Sequence, residues 1–475
     1  MSTIYWGQSQ VNQDFSPEGQ NLAGEQWQQG QLVEITIVDL GDTGEGVGRF
    51  GGRVVFVPDT VTGDRALVRL IRVKPQYAWG KLHQLLEPSP HRHRPSCIVA
   101  DKCGGCQWQH IDDGYQLVAK QNQVIQALER IGGISQPPVA PILVPPAALG
   151  YRNKVTYPLA ISATGQVQAG YYRQGSHQLV NLNQCPVQDV RLNPLLAEVK
   201  QDIQRQGWQI YNEQRHQGII RHLALRIGRR TGEMLLTLVA TRENLPQIAS
   251  QAEEWWQRYA LAGVCLNLNP ARTNTIFGKE TRCLAGKPYL EEEFGGLRFQ
   301  LRAETFFQVY TEAAEGLLQV IQSQLNLQGN EVLVDAYCGI GTFTLPLAQM
   351  VKQVVGIEVQ AAAIAQAEIN AKLNGIKNVN FYVGAVEDVL PQIEVTPDIV
   401  LLDPPRQGCD RAVLERLLQI HPARIVYISC KPATLARDLK ILCQDGNYRV
   451  ALVQPADFFP QTAHVESVAF CFSIP

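Results

Sequence analysis

The spacing of apolar residues divides the 475-residue chain into four stretches. Residues 1–28 are polar, glutamine-rich and without period, which predicts a disordered tail. Across 29–88, apolar and polar positions alternate between glycine-punctuated turns, as in Gln31–Val38, Arg53–Pro58 and Asp64–Val73. Short strands of that kind predict a small antiparallel, OB-like β-barrel. Across 89–300 the pattern is mixed: Tyr115–Ile131 has helical spacing, Tyr151–Tyr157 opens a strand, and Arg221–Arg230 with Glu233–Ala240 reads as a hairpin. An α+β central domain is expected there. From 301 to 475, strands alternate with helices. Glu331–Asp335 runs into the turn Gly339-Ile340-Gly341 and a helix starting near Phe343, and Val354–Glu358 precedes the alanine-rich helix Ala361–Asn374. Asn378–Val383, Asp398–Leu402 and Ile425–Ile428 supply further strands. Such alternation implies a mostly parallel, Rossmann-like sheet with right-handed crossovers.

Composition narrows the class without naming a chemistry. With 45% apolar and 18% charged residues the chain is a soluble globular protein, and it is too long for one core. No run reaches the ~18 uninterrupted apolar residues of a membrane span, and the amino terminus lacks a secretory pattern. A cytoplasmic monomer without membrane contact is expected. Eleven cysteines, an odd number, point to metal or catalysis rather than a disulfide framework. A net charge of −2 means that a polyanionic partner must be met by local patches. Arg152, Lys154, Tyr171, Tyr172, Arg173, Arg221, Arg226, Arg229 and Arg230 form the candidate patch, pairing phosphates and stacking bases.

Three motifs carry chemistry. Cys97, Cys103 and Cys106 are spaced C-x5-C-x2-C, and Cys185, followed by Pro186, is the best fourth ligand. Four thiolates suit tetrahedral zinc or an iron–sulfur cluster, and the single close CxxC pair leans towards iron–sulfur. The Gly339-Ile340-Gly341 turn with Glu358 ending the next strand fits a nucleoside cofactor, the acid accepting from ribose hydroxyls. The third glycine of the dinucleotide fingerprint is missing, which favours S-adenosylmethionine (SAM) over NAD. Finally, Ile425–Ile428 delivers Cys430 to a strand end, where open α/β sheets place their ligands. Cys430 is therefore a candidate nucleophile, although cysteines after strands are often plain core.

Asp403-Pro404-Pro405-Arg406, Ser429-Cys430-Lys431-Pro432 and Pro460-Gln461-Thr462-Ala463-His464-Val465-Glu466, taken together and in this order, resemble the RNA uracil-5 methyltransferases. The cysteines at 97, 103, 106 and 185 and the barrel, which looks like a TRAM domain, are similar to the iron–sulfur branch acting on large-subunit (23S) ribosomal RNA. The resemblance implies a 4Fe-4S cluster on Cys97, Cys103, Cys106 and Cys185, SAM contacts at Gln308, Tyr337, Glu358 and Asp403, nucleophile Cys430 and general base Glu466. Tyr310 and Thr342 stand where family members commonly or sometimes carry Asn.

The chemistry explains these residue types. Uracil C5 is too weak a nucleophile to attack a sulfonium methyl until a thiolate adds at C6. After methyl transfer a base must remove the C5 proton, and a carboxyl in a water-poor site is suited to this near neutrality. Both faces of the ring are needed, so a loop or flipped uridine is the expected target. Transfer RNA is the alternative target. An N-methyltransferase is the alternative chemistry, but such Asp-Pro-Pro motifs usually end in an aromatic where Arg406 stands. An inactive RNA-binding iron–sulfur protein is a third reading, opposed by the presence of both Cys430 and Glu466.

Overall fold

The computed structural model describes residues 27–474. The expected disordered tail falls outside them except for its last two residues, and there Trp27 packs on the barrel, 6.1 Å from the Phe50 ring and under Arg53. Strands β1 (Leu32–Leu40), β2 (Gly46–Phe50), β3 (Arg53–Val57), β4 (Arg65–Val73) and β5 (Tyr77–Glu87) close a barrel in the order β1-β2-β3-β5-β4. Its inward positions are the apolar half of the alternation, Val33, Ile35, Ile37, Val55, Val57, Val68 and Leu70 among them. The barrel is not wholly antiparallel as expected: β3 and β5 pair in parallel, because β4 lies between them in sequence and outside them in space.

The central region builds a seven-stranded sheet from β6 (Lys154–Ile161), β7 (Val167–Tyr172), β8 (Leu179–Asn181), β9 (Ile220–Ile227), β10 (Met234–Ala240), β11 (Gly263–Leu268) and β12 (Glu280–Gly286), in the order β12-β11-β10-β9-β6-β7-β8. The expected hairpin is β9 and β10, paired antiparallel. A separate hairpin, β13 (Leu290–Phe294) and β14 (Leu297–Leu301), packs in the core of the last region.

That last region is a second seven-stranded sheet of β15 (Val332–Ala336), β16 (Gln353–Glu358), β17 (Val379–Val383), β18 (Ile399–Leu402), β19 (Arg424–Ser429), β20 (Tyr448–Ala456) and β21 (Glu466–Ser473). Its order is β17-β16-β15-β18-β19-β21-β20, so the chain winds one way from β15 and then the other from β18. Ligands of such sheets bind at this switch point, beyond the carboxyl ends of the strands. The first five strands are parallel. β21 then inserts antiparallel between β19 and β20, so the edge carrying β19 is mixed. Directly after β19, Pro432 occupies the first turn of the helix Pro432–Leu442, where its missing N–H costs nothing, and Cys430-Lys431 is left as a two-residue junction. The helix Asp113–Arg130, N-capped by Asp112, packs against that helix and joins the central region to the second seven-stranded sheet.

Candidate functional site

At the end of β15 the chain leaves the sheet through a turn that only unusual backbone permits. Tyr337 has φ +103°, Gly339 +55° and Gly341 +87°. The N–H groups of Tyr337 and Cys338 both donate to Ile357 O at 2.9 Å, folding the turn over β16. Asp335, inside β15, accepts from Thr344 Oγ1 at 2.5 Å and so pins the helix that follows. Beside this turn lies a cavity of ≈ 720 Å³ whose lining includes Tyr337, Glu358, Glu387 and Asp410. Its size suits a nucleoside cofactor. Two of the expected cofactor residues, Tyr337 and Glu358, therefore face it. Asp403 and Gln308 lie outside that lining; Gln308 is buried, its carbonyl accepting from Asn153 Nδ2 at 2.9 Å.

Asp403 instead belongs to a cluster of acids around Cys430. Cys430 follows β19, and the antiparallel register Ser429↔Ser467 extends to set Glu466, the first residue of β21, beside it. Burial, and then the Asp335 charge, pushes the Asp403 carboxyl up to about 7, and burial pushes Asp335 to the same range. Burial, reinforced by Asp403, holds Glu466 well above the usual carboxylate range, while Arg406 works against that shift. The Cys430 thiol is pushed up to about 11 by burial first and then by Glu466, with Arg406 again opposing. Burial thus disfavours the charged forms of the thiol and of all three acids. Such a cluster favours a cation, because a positive charge would stabilise every carboxylate at once. Cys430 opens onto a cleft of ≈ 520 Å³ whose walls come from three places: Arg406 and His464 beside it, Gln126 and Arg130 of the long helix, and Asp42 of the barrel.

Sequence reasoning missed Asp335 and the barrel wall. Asp335 was marked only by being an acid inside an otherwise apolar strand, and no local signal could show which barrel loop would face Cys430.

The four expected ligand cysteines do come together. Cys97, Cys103, Cys106 and Cys185 line one small cavity with Arg152, Gln109 and Tyr171. Burial raises the thiols of Cys103, Cys106 and Cys185, Cys106 to about 12, and neighbouring thiols add to each shift. Gly104 is required for the wrap: its N–H donates to Tyr172 O at 2.9 Å, and a Cβ there would meet that oxygen at 2.7 Å. Among the described residues no three His, Cys, Asp or Glu side chains converge tightly enough for a single metal ion. Arg152, held cationic beside the thiols, has a buried Nε with no hydrogen-bond partner. Four thiols beside a buried guanidinium nitrogen without a partner are a donor set that an anionic group bound through sulfur would fit.

The expected basic and aromatic RNA-binding face is corrected by the structure. Every residue of β9 is buried, and its arginines serve the interior. Arg221 donates to the carbonyls of Asn269, Ala271 and Thr273, and Arg226 to those of Arg302 and Thr305. Arg229 pairs with Asp189 and Glu312, and Arg230 with Glu315. Arg152 and Tyr171 face the cysteine cavity, and Lys154 is stripped of water by burial. Of the patch Arg173 and Arg230 are exposed, Arg230 tied to Glu315, with Tyr172 half-buried beside Arg173. Long polar side chains that thread a sheet to cap loop carbonyls have the same residue pattern as a nucleic-acid face.

Comparison with known proteins agrees with this geometry. A family model described as tRNA (Uracil-5-)-methyltransferase matches residues 171–472, and one described as TRAM domain matches 26–83. An RNA methyltransferase of Nostoc is 70% identical over 94% of this chain and 97% of its own, and one of Synechocystis 59% over 93% and 95%. The Pyrococcus abyssi tRNA (uracil-54, C5)-methyltransferase, solved with S-adenosyl-L-homocysteine, superposes with a TM-score of 0.73 at 28% identity, covering 92% of this chain and 99% of that one.

Proposed function

The chain belongs to the tRNA (uracil-5-)-methyltransferase family, SAM-dependent enzymes acting on RNA, and from that premise we propose how its residues divide the work and which RNA they serve. The observation that carries the proposal is the placement of Cys430 and Glu466 side by side at one sheet edge, with Asp403 between them and the cofactor turn. Bound at Tyr337, Glu358, Asp403 and Gln308, SAM supplies an electrophilic methyl group and positive charge. Arg406 favours the thiolate of Cys430, which forms a bond to uracil C6 and shifts an electron pair towards C5. C5 takes the methyl group and keeps its proton. Burial, with Asp403, holds Glu466 well above the usual carboxylate range, which gives it the proton affinity a general base at C5 needs. Glu466 then takes the C5 proton, the C5–C6 double bond reforms, and Cys430 leaves with the bonding pair.

Cys97, Cys103, Cys106 and Cys185 would hold a 4Fe-4S cluster, which would close the loops of the central region around four thiolates. The substrate proposed is a loop or flipped uridine of large-subunit ribosomal RNA, met by a monomer in the cytoplasm. The name of the Pyrococcus abyssi relative favours a second reading, transfer RNA. Among the described residues no helix is long and apolar enough to cross a membrane.

Glu466→Gln should convert turnover into a methylated RNA–protein adduct stable on a denaturing gel; a variant that turns over without trapping RNA would remove Glu466 from the base role. Mass-spectrometric mapping of 5-methyluridine in both RNA classes, with and without the gene, decides the target, and loss from transfer RNA alone would overturn the ribosomal assignment.

A further inference from the structure

The segment Asp457–Val465, which joins β20 to β21 and delivers Glu466, is held largely from outside its own sheet. Buried Lys120 donates to Asp457 Oδ1 at 2.6 Å and to Phe459 O at 3.0 Å, and Tyr151 OH donates to Pro460 O at 3.0 Å. The contacts converge on Gln461. Its N–H donates to Gln116 Oε1 at 2.9 Å, its carbonyl accepts from the Trp108 N–H at 3.0 Å, and its side-chain Nε2 donates to Asp113 Oδ1 at 2.8 Å. Gln461 has φ +71°, a conformation that a residue with a Cβ holds only when its surroundings over-determine it.

The amide of Gln116 is the hub of this arrangement. Only 2% exposed, it also donates to Ile111 O at 2.9 Å and Trp108 O at 3.1 Å. One side chain thus ties the left-handed residue of the base-bearing segment to the backbone two residues beyond Cys106. From the same point Trp108 Nε1 donates to Gly44 O at 3.0 Å, in the barrel loop that follows Asp42 on the cleft wall. Cysteine loop and base segment are therefore registered against each other at a buried amide, and the Trp108 indole extends that registry to the barrel loop.

We infer that Gln116 is a positioning residue for Glu466: its amide fixes Gln461, and through Gln461 the reach of the Glu466 carboxyl towards the nucleotide held by Cys430. The inference rests on the base role proposed above for Glu466. Proton abstraction needs the carboxyl within hydrogen-bond reach of its target, and a displacement of about 1 Å can cost on the order of a hundredfold. None of the residues lining the cofactor cavity is a hydrogen-bond partner of Gln116, so SAM binding does not pass through this hub.

The test uses the full chain and whichever unmodified transcript, ribosomal or transfer, the wild-type protein methylates. Gln116→Met keeps the volume and removes every polar contact. For Gln116→Met we expect turnover lower by roughly tenfold or more, an unchanged SAM Kd, and a rise in methylated RNA–protein adduct on a denaturing gel. Turnover like wild type, or lost turnover without trapped adduct, would overturn the inference. Should Gln116→Met fail to fold, Gln461→Gly takes its place, since glycine accepts the left-handed angle freely and loosens the segment; trapped adduct supports the inference and its absence overturns it. Glu466→Gln, run alongside, separates the two claims. If it traps no adduct the base role itself fails, whereas adduct there but none in the Gln116 and Gln461 variants sinks the positioning role alone.

Discussion

The molecule holds cysteines in two settings that burial alone does not distinguish. The Cys430 thiol is pushed up to about 11 and the Cys106 thiol to about 12, in both cases mainly by loss of water. What differs is the company. Cys430 opens onto a broad cleft and faces Glu466, Asp403 and Arg406, each on a different segment ending at one sheet edge. Cys106 faces three other thiols and the cation of Arg152 in a small cavity made by loops. A reactive thiol is thus recognised by the charges that converge on it and the space left for a substrate, and a ligand thiol by other thiols at the same range.

The comparison breaks most readily at its two cysteines. Cys430→Ala should lower methylation by at least about a thousandfold while SAM binding, visible absorbance and thermal stability hold; retained turnover would sink the covalent mechanism. Cys106→Ala should do the reverse in kind. The protein purified without oxygen should lose its brown colour and several kcal/mol of stability, since ligand binding at such a site is folding free energy, and stoichiometric zinc in the wild-type protein would overturn the cluster.

Next in size is the buried pair that holds the base segment. Lys120→Met leaves Asp457 uncompensated and should cost about 3–5 kcal/mol in denaturant unfolding, against little change on removing an exposed pair such as Arg411–Glu415.

The smallest effect is in pH. Asp335 and Asp403 bind protons more tightly folded, near about 7, than a carboxyl does when unfolded, so the native state holds more protons between pH 4 and 7. Stability without cofactor should accordingly fall as pH rises through that window. Asp403→Asn should flatten the decline in melting temperature, and bound SAM should flatten it too, because a cation favours the carboxylates; a decline of equal slope in all three would exclude these acids as its source.

Much of the catalytic sheet was legible because each strand is an apolar run ended by the residue it delivers: Glu358 after β16, Asp403 after β18, Cys430 after β19. The convergence of Cys97, Cys103, Cys106 and Cys185 on one cavity was legible for a different reason: the close C-x5-C-x2-C spacing of three of them marked a thiol cluster in need of a fourth member, and Cys185, stiffened by Pro186, was the best candidate. The arginines of β9 were misread because an arginine capping buried carbonyls and one awaiting a phosphate share the same local sequence.

Residue identity and local pattern alone determined the elements, the reactive groups and the class of chemistry, because hydrophobic period and side-chain pKa are properties of a few neighbouring residues. Only the tertiary structure decided that β21 inserts beside β19, bringing Glu466 to Cys430, that the barrel walls the cleft, and that Gln116 is hydrogen-bonded to the segment leading into β21. Strand order, register and burial depend on contacts across hundreds of residues, and no local pattern encodes which two distant segments will share one edge.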